Sequence, residues 1–159
     1  MRNLTITRRS MVGAGAASGA ILALGVPASL LANPAAKTRI IMHRNPGCGC
    51  CLKWAERARE AGFEVIIDES QDVMAVKRKF GVPENLVSCH TSVVGGYAIE
   101  GHVPLKHVKK LLATKPKVRG IAVPGMPLGA PGMEVPGYAG DAFEVFAFDA
   151  AGKYAPFKA

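Results

Sequence analysis

The chain has 159 residues, with 20 Lys and Arg against 12 Asp and Glu, so its formal net charge is +8 at pH 7. Residues 1–36 contain three of the basic residues and none of the acidic ones, and without them the net charge falls to +5. About 120 residues remain, enough for one ordinary domain with a single core. A nucleic-acid partner is not expected. The densest basic patches, residues 77–79 and 106–110, fall on predicted helices without a binding motif, and a solvated helix face explains them.

Residues 1–36 have the layout of an export signal. Arg8 and Arg9 form a twin-arginine pair ahead of an uncharged run over residues 10–36. The run is long enough to cross a membrane, but Gly, Ala and Ser dominate its first half and Pro27 interrupts its second half, which weakens it as a permanent anchor. We therefore predict a periplasmic protein that meets the membrane only through this segment and loses it by cleavage between residues 28 and 36.

Two strands and two helices are predicted to follow in alternation. Short β-branched runs predict strands at residues 38–43 and 63–67. Apolar residues at helical spacing predict a first helix over residues 50–61, ended by a glycine. A second helix is predicted up to residue 80 with Ser70 as its cap. Its expected buried stripe consists of Val73, Val76 and Phe80.

The third part of the pattern is a hairpin and a last helix. Residues 91–100 form two apolar runs around Gly95 and Gly96, which predicts a tight hairpin. Pro104 opens the last helix, with Leu105, Val108, Leu111 and Leu112 expected to face inward. The resulting order, β-α-β-α-β-β-α, is the arrangement of thioredoxin and glutaredoxin domains. We therefore predict an α/β fold with a thioredoxin-like domain over residues 37–115.

Residues 116–159 are predicted to pack on that same domain. Residues 122–137 are rich in Pro and Gly and predict an ordered loop. Two apolar runs, residues 143–148 and 153–157, predict a second hairpin. Met126 and Met133 are spaced through the loop, either as ordinary packing or as thioether ligands that cover a metal site.

Three cysteines crowd the predicted start of the first helix. Cys48 and Cys51 stand in a C-x-x-C relation, with Cys50 between them. The amino end of a helix favours thiolate, because its free N–H groups and dipole stabilise negative charge. This position suits either redox chemistry or metal binding and does not choose between them. A structural disulfide, for instance to Cys89, is a third interpretation.

Cys89 and His90 favour a metal. They occupy the loop before the third strand, where thioredoxin-like domains normally carry a cis proline against the active-site sulfurs. A thiol and an imidazole are instead expected to face the cluster. Several thiolates form a soft site that selects Cu(I). Zinc is the competing metal, because sets of four cysteines, or of three cysteines and one histidine, suit it too. His43 and His102 could each approach the site and are left undecided, whereas His107 is expected to face solvent.

Three separated motifs resemble the CopG-type exported copper-resistance proteins. They are NPGCGCCLKW at residues 45–54, GVPENLVSCHTSVVGGYAIEGHVP at residues 81–104 and GIAVPGMPLGAPGME at residues 120–134. The resemblance implies a thioredoxin-like fold and a Cys-x-Cys-Cys copper site at Cys48, Cys50 and Cys51. Cys89 and His90 match the Cys-His pair of that family. It also implies a role in handling excess periplasmic copper. Storage of copper, its transfer to a pump and electron transfer between Cu(I) and Cu(II) all remain open as the form of that role.

Three functions remain open from the sequence. The first is a copper-binding protein whose partners are copper ions and either a copper efflux pump or a periplasmic copper chaperone. The second is a thiol-disulfide oxidoreductase in which Cys48 attacks and Cys51 resolves. The third is a secreted structural domain with two disulfides.

Overall fold

Seven strands and three helices are formed in the computed structural model, which describes residues 37–69 and 72–159. The predicted export signal and the predicted cap Ser70 lie outside these described residues. The strands are β1 Arg39–Arg44, β2 Glu64–Glu69, β3 His90–Val94, β4 Tyr97–Glu100, β5 Gly120–Ala122, β6 Phe146–Phe148 and β7 Tyr154–Pro156. The helices are α1 Gly49–Glu60, α2 Val73–Phe80 and α3 Leu105–Thr114, with a 3-10 turn at Glu84–Leu86.

The strands form a single mixed sheet in the order β2-β1-β3-β4-β5-β6-β7. The pairs β1–β2 and β4–β5 are parallel, and the other four are antiparallel. The chain follows the predicted β-α-β-α-β-β-α order up to α3, and β6 and β7 form the predicted second hairpin. None of the helices in the described ranges is long and apolar enough to cross a membrane.

Both faces of the central strands are buried. Neighbouring residues of one strand point to opposite faces, and here Ala98 and Ile99 belong to different apolar clusters. Ile99 packs in the larger cluster with residues of α1 and α3, such as Trp54 and Leu111. Ala98 packs in the smaller cluster with Leu86 of the 3-10 turn. The sheet is therefore the middle layer of the fold.

Helix α2 is buried along only part of the predicted stripe. Its cap is Asp72, whose carboxylate accepts a hydrogen bond from the Ala75 N–H at 2.8 Å. Val73 and Lys77 are the buried residues, whereas Val76 and Phe80 are only half-buried. The prediction that Lys77 belongs to a solvated face is therefore wrong, because this lysine finds a buried carboxylate as its partner.

Strand β5 was not predicted from the sequence, since a strand of three residues is too short to show alternation. Its first residue, Gly120, lies between β4 and β6, opposite Ala98 on one side and Phe148 on the other. A Cβ atom at this position would collide with the Ala98 carbonyl and with the Phe148 ring. Glycine at residue 120 therefore allows β4, β5 and β6 to approach one another.

The substitution Gly120→Ala should lower the free energy of unfolding by about 1–3 kcal/mol, the usual cost of forcing an extra carbon into a packed site. Gly49→Ala is the matched control, because nothing lies within 4 Å of the Cβ it would add at the start of α1, and alanine is the better helix former. Urea denaturation of both variants measures the difference. Equal stability of the two variants would contradict this role of Gly120.

Candidate metal centre

The pairing of β1 with β3 places the two cysteine segments at one end of the sheet. Arg44, the last residue of β1, lies opposite His90, the first residue of β3. The chain leaves β1 into the turn that carries Cys48, and it enters β3 through Cys89. Segments that are about 40 residues apart in sequence therefore meet because the strands run antiparallel.

All four cysteine sulfurs lie within 4.8 Å of one another. Cys48 and Cys51 are joined in a disulfide, whereas Cys50 and Cys89 are free thiols, so the interpretation of a structural disulfide to Cys89 is wrong. Cys50 Sγ lies 3.5 Å from Cys48 Sγ and 4.0 Å from Cys89 Sγ, and Cys51 Sγ lies 3.7 Å from Cys89 Sγ. The four cysteines predicted to form one site are thus brought together, and we call them the cysteine cluster.

The cysteine cluster lies at the amino end of α1. Cys48 is the N-cap residue, no side chain caps the helix, and its first turn contains no acidic residue. The partial positive charge of the helix end therefore lies beside Cys48 without an internal counter-charge, and it would favour the Cys48 thiolate once the disulfide is reduced. The guanidinium of Arg44 donates to the Cys48 carbonyl at 3.3 Å and pairs with Glu69, and this contact holds the turn against the end of β1.

Two histidines extend the donor set on the buried side of Cys89. His90 Nδ1 lies 3.3 Å and His102 Nε2 lies 3.1 Å from the Cys89 sulfur, and the three residues form a second group with metal-ligand spacing. Both histidines are fully buried, and their rings meet edge to face with centroids 5.1 Å apart. Cys89 belongs to both groups and joins the cysteine cluster to the imidazoles.

The hydrogen bonds of His102 define its tautomer. Its Nδ1 lies 2.8 Å from the Pro131 carbonyl, which can only accept, so Nδ1 carries the proton. Nε2 then presents a lone pair toward Cys89. Burial lowers the pKa of His102 and holds the pKa of His90 well below its usual range, the latter with help from His102 and Lys77. Both imidazoles are therefore neutral at pH 7, which is the form that binds metals.

Cys89 keeps its proton in the metal-free protein. Burial, together with the neighbouring Cys50, raises the pKa of its thiol to about 12. The thiol can donate that proton to Nε2 of His102, which lies 3.1 Å away. A metal that binds Cys89 has to displace this proton, and metal binding is then linked to pH.

An aromatic wall and the Pro/Gly-rich loop close the buried side of the site. Trp54 of α1 packs against the His90 ring at a centroid distance of 5.2 Å and donates from Nε1 to the Val103 carbonyl. Gly132 lies so close to the Cys50 carbonyl and the Trp54 backbone that an added Cβ would reach within 3.0 Å of both. The predicted loop therefore does lie over the start of α1, with Gly132 at the contact.

The thioethers of that loop are less closely tied to the site. Met126 is 55% exposed, whereas Met133 is half-buried beside Gly132. Their role as thioether ligands stays a prediction. Asp141 holds the loop closed, because its backbone N–H donates to the Leu128 carbonyl at 2.8 Å and its carboxylate accepts from the Leu128 N–H at 2.9 Å.

A buried ion pair supports the segment that carries Cys89. Lys77 Nζ lies 2.5 Å from Glu100 Oε1 and 3.1 Å from Thr91 Oγ1. The same carboxylate accepts from the Ser88 N–H at 2.6 Å. Glu100 is fully buried, and the burial raises its pKa although Lys77 opposes this shift. The pair thereby holds the Ser88 backbone before Cys89 and the Thr91 side chain after His90.

The three histidines outside the predicted ligand set, His43, His102 and His107, differ in their distance from the site. His102 lies in the site, and its position beside Cys89 follows from the register of the predicted hairpin. Strands that turn at Gly95 and Gly96 place Thr91 opposite Glu100, and two more steps in that register place Cys89 opposite His102. His43 lies 2.8 Å from the Asp68 carboxylate, outside both metal-ligand groups.

The prediction that His107 faces solvent is wrong. It is 9% exposed and packs beside Phe157 of the C-terminal segment. Residues 37–115 alone could not have shown this contact, since Phe157 comes from the last three residues of the chain.

Comparisons with known proteins identify a matching family and two similar solved structures. A family described as "Protein of unknown function, DUF411" matches residues 86–133. Two solved structures of "Copper resistance protein copG", Form 1 and Form 2, are each 38% identical to the chain, with TM-scores of 0.72 and 0.73. Each alignment covers 77% of this chain, with 96% of the first structure and 97% of the second. No curated protein sequence matches the chain.

The substitution Lys77→Met should cost about 3 kcal/mol of stability near pH 8, because it leaves Glu100 buried without its cation. Glu100 has a raised pKa when folded, so the folded state favours its protonated form. Stability of the variant should therefore be highest below the unfolded pKa of a glutamate and fall as the pH rises through the folded value. Urea denaturation between about pH 5 and pH 8 measures both effects.

Lys79→Met is the matched control on the same helix, since Lys79 is exposed. It should change stability by no more than about 0.5 kcal/mol at either pH. Equal losses in the two variants, or a loss in Lys77→Met that does not depend on pH, would show that the ion pair does not support this segment.

Proposed function

The chain belongs to the CopG-type family of copper-resistance proteins, and we propose that it binds copper at the cysteine cluster as part of copper resistance. The observation that carries this proposal is the approach of four cysteine sulfurs to within 4.8 Å of one another at a helix amino end. Thiolates are soft ligands and select Cu(I) over harder ions. A site of this kind would bind copper as cargo.

The proposed ligands are Cys48, Cys50, Cys51, Cys89 and His90, with His102 added from its position beside Cys89. Met126 and Met133 are proposed as outer thioethers. Full use of the cysteine cluster requires reduction of the bond between Cys48 and Cys51, because a disulfide offers no thiolate. Cys50, Cys89 and the two imidazoles are available in either redox state.

The remaining parts of the proposal concern fold, place and partners. The order β2-β1-β3-β4, with one parallel and two antiparallel pairs, supports the thioredoxin-like core predicted from the sequence. The twin-arginine layout supports a periplasmic location. A copper efflux pump or a periplasmic copper chaperone is the proposed partner, and copper could be bound as Cu(I) or pass between Cu(I) and Cu(II). Zinc remains the competing metal.

The reduced protein should bind Cu(I) tightly, and Cys48→Ser, Cys50→Ser, Cys51→Ser and Cys89→Ser should each weaken binding by at least about tenfold. The physical reason is that a hydroxyl is a poor ligand for a soft ion. Competition against a chromophoric Cu(I) chelator measures the affinity. The affinity should rise with pH, because the Cys89 thiol, with its pKa of about 12, must release a proton on binding.

Two results would remove the cluster as a copper site. One is wild-type Cu(I) affinity in all four serine variants. The other is metal analysis of protein purified under reducing conditions that finds stoichiometric zinc, retained in the presence of excess Cu(I).

His102→Asn should weaken Cu(I) binding by roughly tenfold, because asparagine removes the lone pair that His102 directs toward Cys89. His43→Asn is the matched control, since His43 faces Asp68 instead of the cluster. The same chelator competition compares the two variants. Loss of affinity in both, or in neither, would exclude His102 as a ligand.

The disulfide favours thiol-disulfide exchange as a second candidate function. Cys48 is half-buried at the helix end, whereas Cys51 is fully buried, which is the expected division between an attacking and a resolving thiol. In that function Cys51→Ser should trap a mixed disulfide on Cys48 when the protein meets a disulfide-bonded substrate. Cys89→Ser should not. Electrophoresis without reductant detects the adduct, and its absence would exclude this function.

A further inference from the structure

A cavity of about 370 Å³ opens beside the cysteine cluster. Cys48 and Cys89 of the cluster contribute to its wall, together with Met74 of α2. On the other side of the sulfurs, Trp54 and His90 are fully buried and pack against each other. The cavity is therefore an approach by which an ion could reach the sulfurs from solvent.

Met74 is held at this cavity by the start of α2. The Asp72 cap fixes where the helix begins, so Val73 turns into the core with 4% exposure while the next side chain, Met74, stays 47% exposed. Because nearly half of this apolar side chain is exposed to solvent, its burial contributes little to stability. Its thioether, however, is a neutral and soft ligand available to an incoming ion.

The charged residues of the cavity wall are already paired. The Asp72 carboxylate caps α2 and lies 3.6 Å from the Arg78 guanidinium. Lys77 is bound to the buried Glu100. Both charged side chains are therefore already engaged by other groups of the protein. Of the residues that line the cavity, the soft donors are Met74, Cys48 and Cys89.

We propose that Met74 is an entry ligand through which Cu(I) reaches the cysteine cluster. The inference rests on the proposed function and adds the route of loading. The bond between Cu(I) and its carrier breaks as the bond to Met74 Sδ forms, and no proton moves because a thioether is neutral. Cys89 Sγ then binds the ion, its thiol proton passes to solvent, and the bond to Met74 breaks. Copper stays Cu(I) throughout, so no electron donor or acceptor is needed.

The test is the rate at which the full-length protein, reduced by a phosphine, takes Cu(I) from its coloured bicinchoninate complex. Absorbance of that complex reports copper leaving the carrier. Fluorescence of Trp54, the one tryptophan of the chain, reports copper arriving, since Trp54 contacts His90. Met74→Leu should slow loading by about tenfold, with final affinity and stoichiometry unchanged, because leucine keeps the volume and lacks the sulfur.

Two further variants separate the thioether from its position. Met74→His keeps a copper ligand at the cavity and should load near the wild-type rate. Met74→Leu combined with Ile66→Met moves the thioether to an exposed position of β2 that does not line the cavity. This double variant should remain as slow as Met74→Leu.

Other outcomes would overturn either the entry role of Met74 or the proposed function itself. A wild-type rate in Met74→Leu, or recovery of that rate in the double variant, overturns the entry role of Met74 alone. Slow loading accompanied by an equal loss of equilibrium affinity would make Met74 a permanent ligand and also overturn it. Failure of the wild-type protein to take Cu(I) at all overturns the proposed function and this inference with it.

Discussion

The hydrogen-bonded register of β3 is the constraint on which the site depends. It places Arg44 of β1 opposite His90 and Glu100 of β4 opposite Thr91. The turn after β1, the residues before β3 and the residues after β4 then meet at one end of the sheet. A slip of one residue in either pairing would turn every side chain of that strand to the other face. The buried Lys77–Glu100 pair opposes such a slip, because it joins α2, β4 and the backbone before Cys89.

Burial keeps three donors of the metal-free site neutral, namely Cys89, His90 and His102. The Cys89 thiol is protonated and both imidazoles are uncharged, because desolvation raises the pKa of the thiol and lowers those of the histidines. An ion that enters such a site must not leave a large uncompensated charge behind. At Cys89 the proposed Cu(I) ion would meet this requirement by replacing one thiol proton, which leaves the total charge unchanged.

Local patterns were sufficient to predict most of the elements and the cysteine cluster. Strand β1, helix α1 and the β3–β4 hairpin each have their own periodicity or turn residues, and the position of Cys48 to Cys51 follows from the helix start. Lys77 could not be predicted, because nothing near it in sequence shows that Glu100 is buried on the facing strand. Strand β5 is too short to have a period, and His107 is covered by Phe157 from the chain end. His102 was predictable in principle, since the hairpin register extends to Cys89.

The two candidate functions share the same sulfurs, and their geometry makes them dependent on each other. Cys48 and Cys51 cannot bind a metal while they are joined, but the free sulfurs flank that bond, with Cys50 3.5 Å from Cys48 and Cys89 3.7 Å from Cys51. Oxidation therefore removes two thiolates from the proposed site and leaves two thiols beside two neutral imidazoles. A soft ion would still find donors there, although fewer of them. The redox state of one cysteine pair thus sets how many sulfur ligands the proposed copper site can offer.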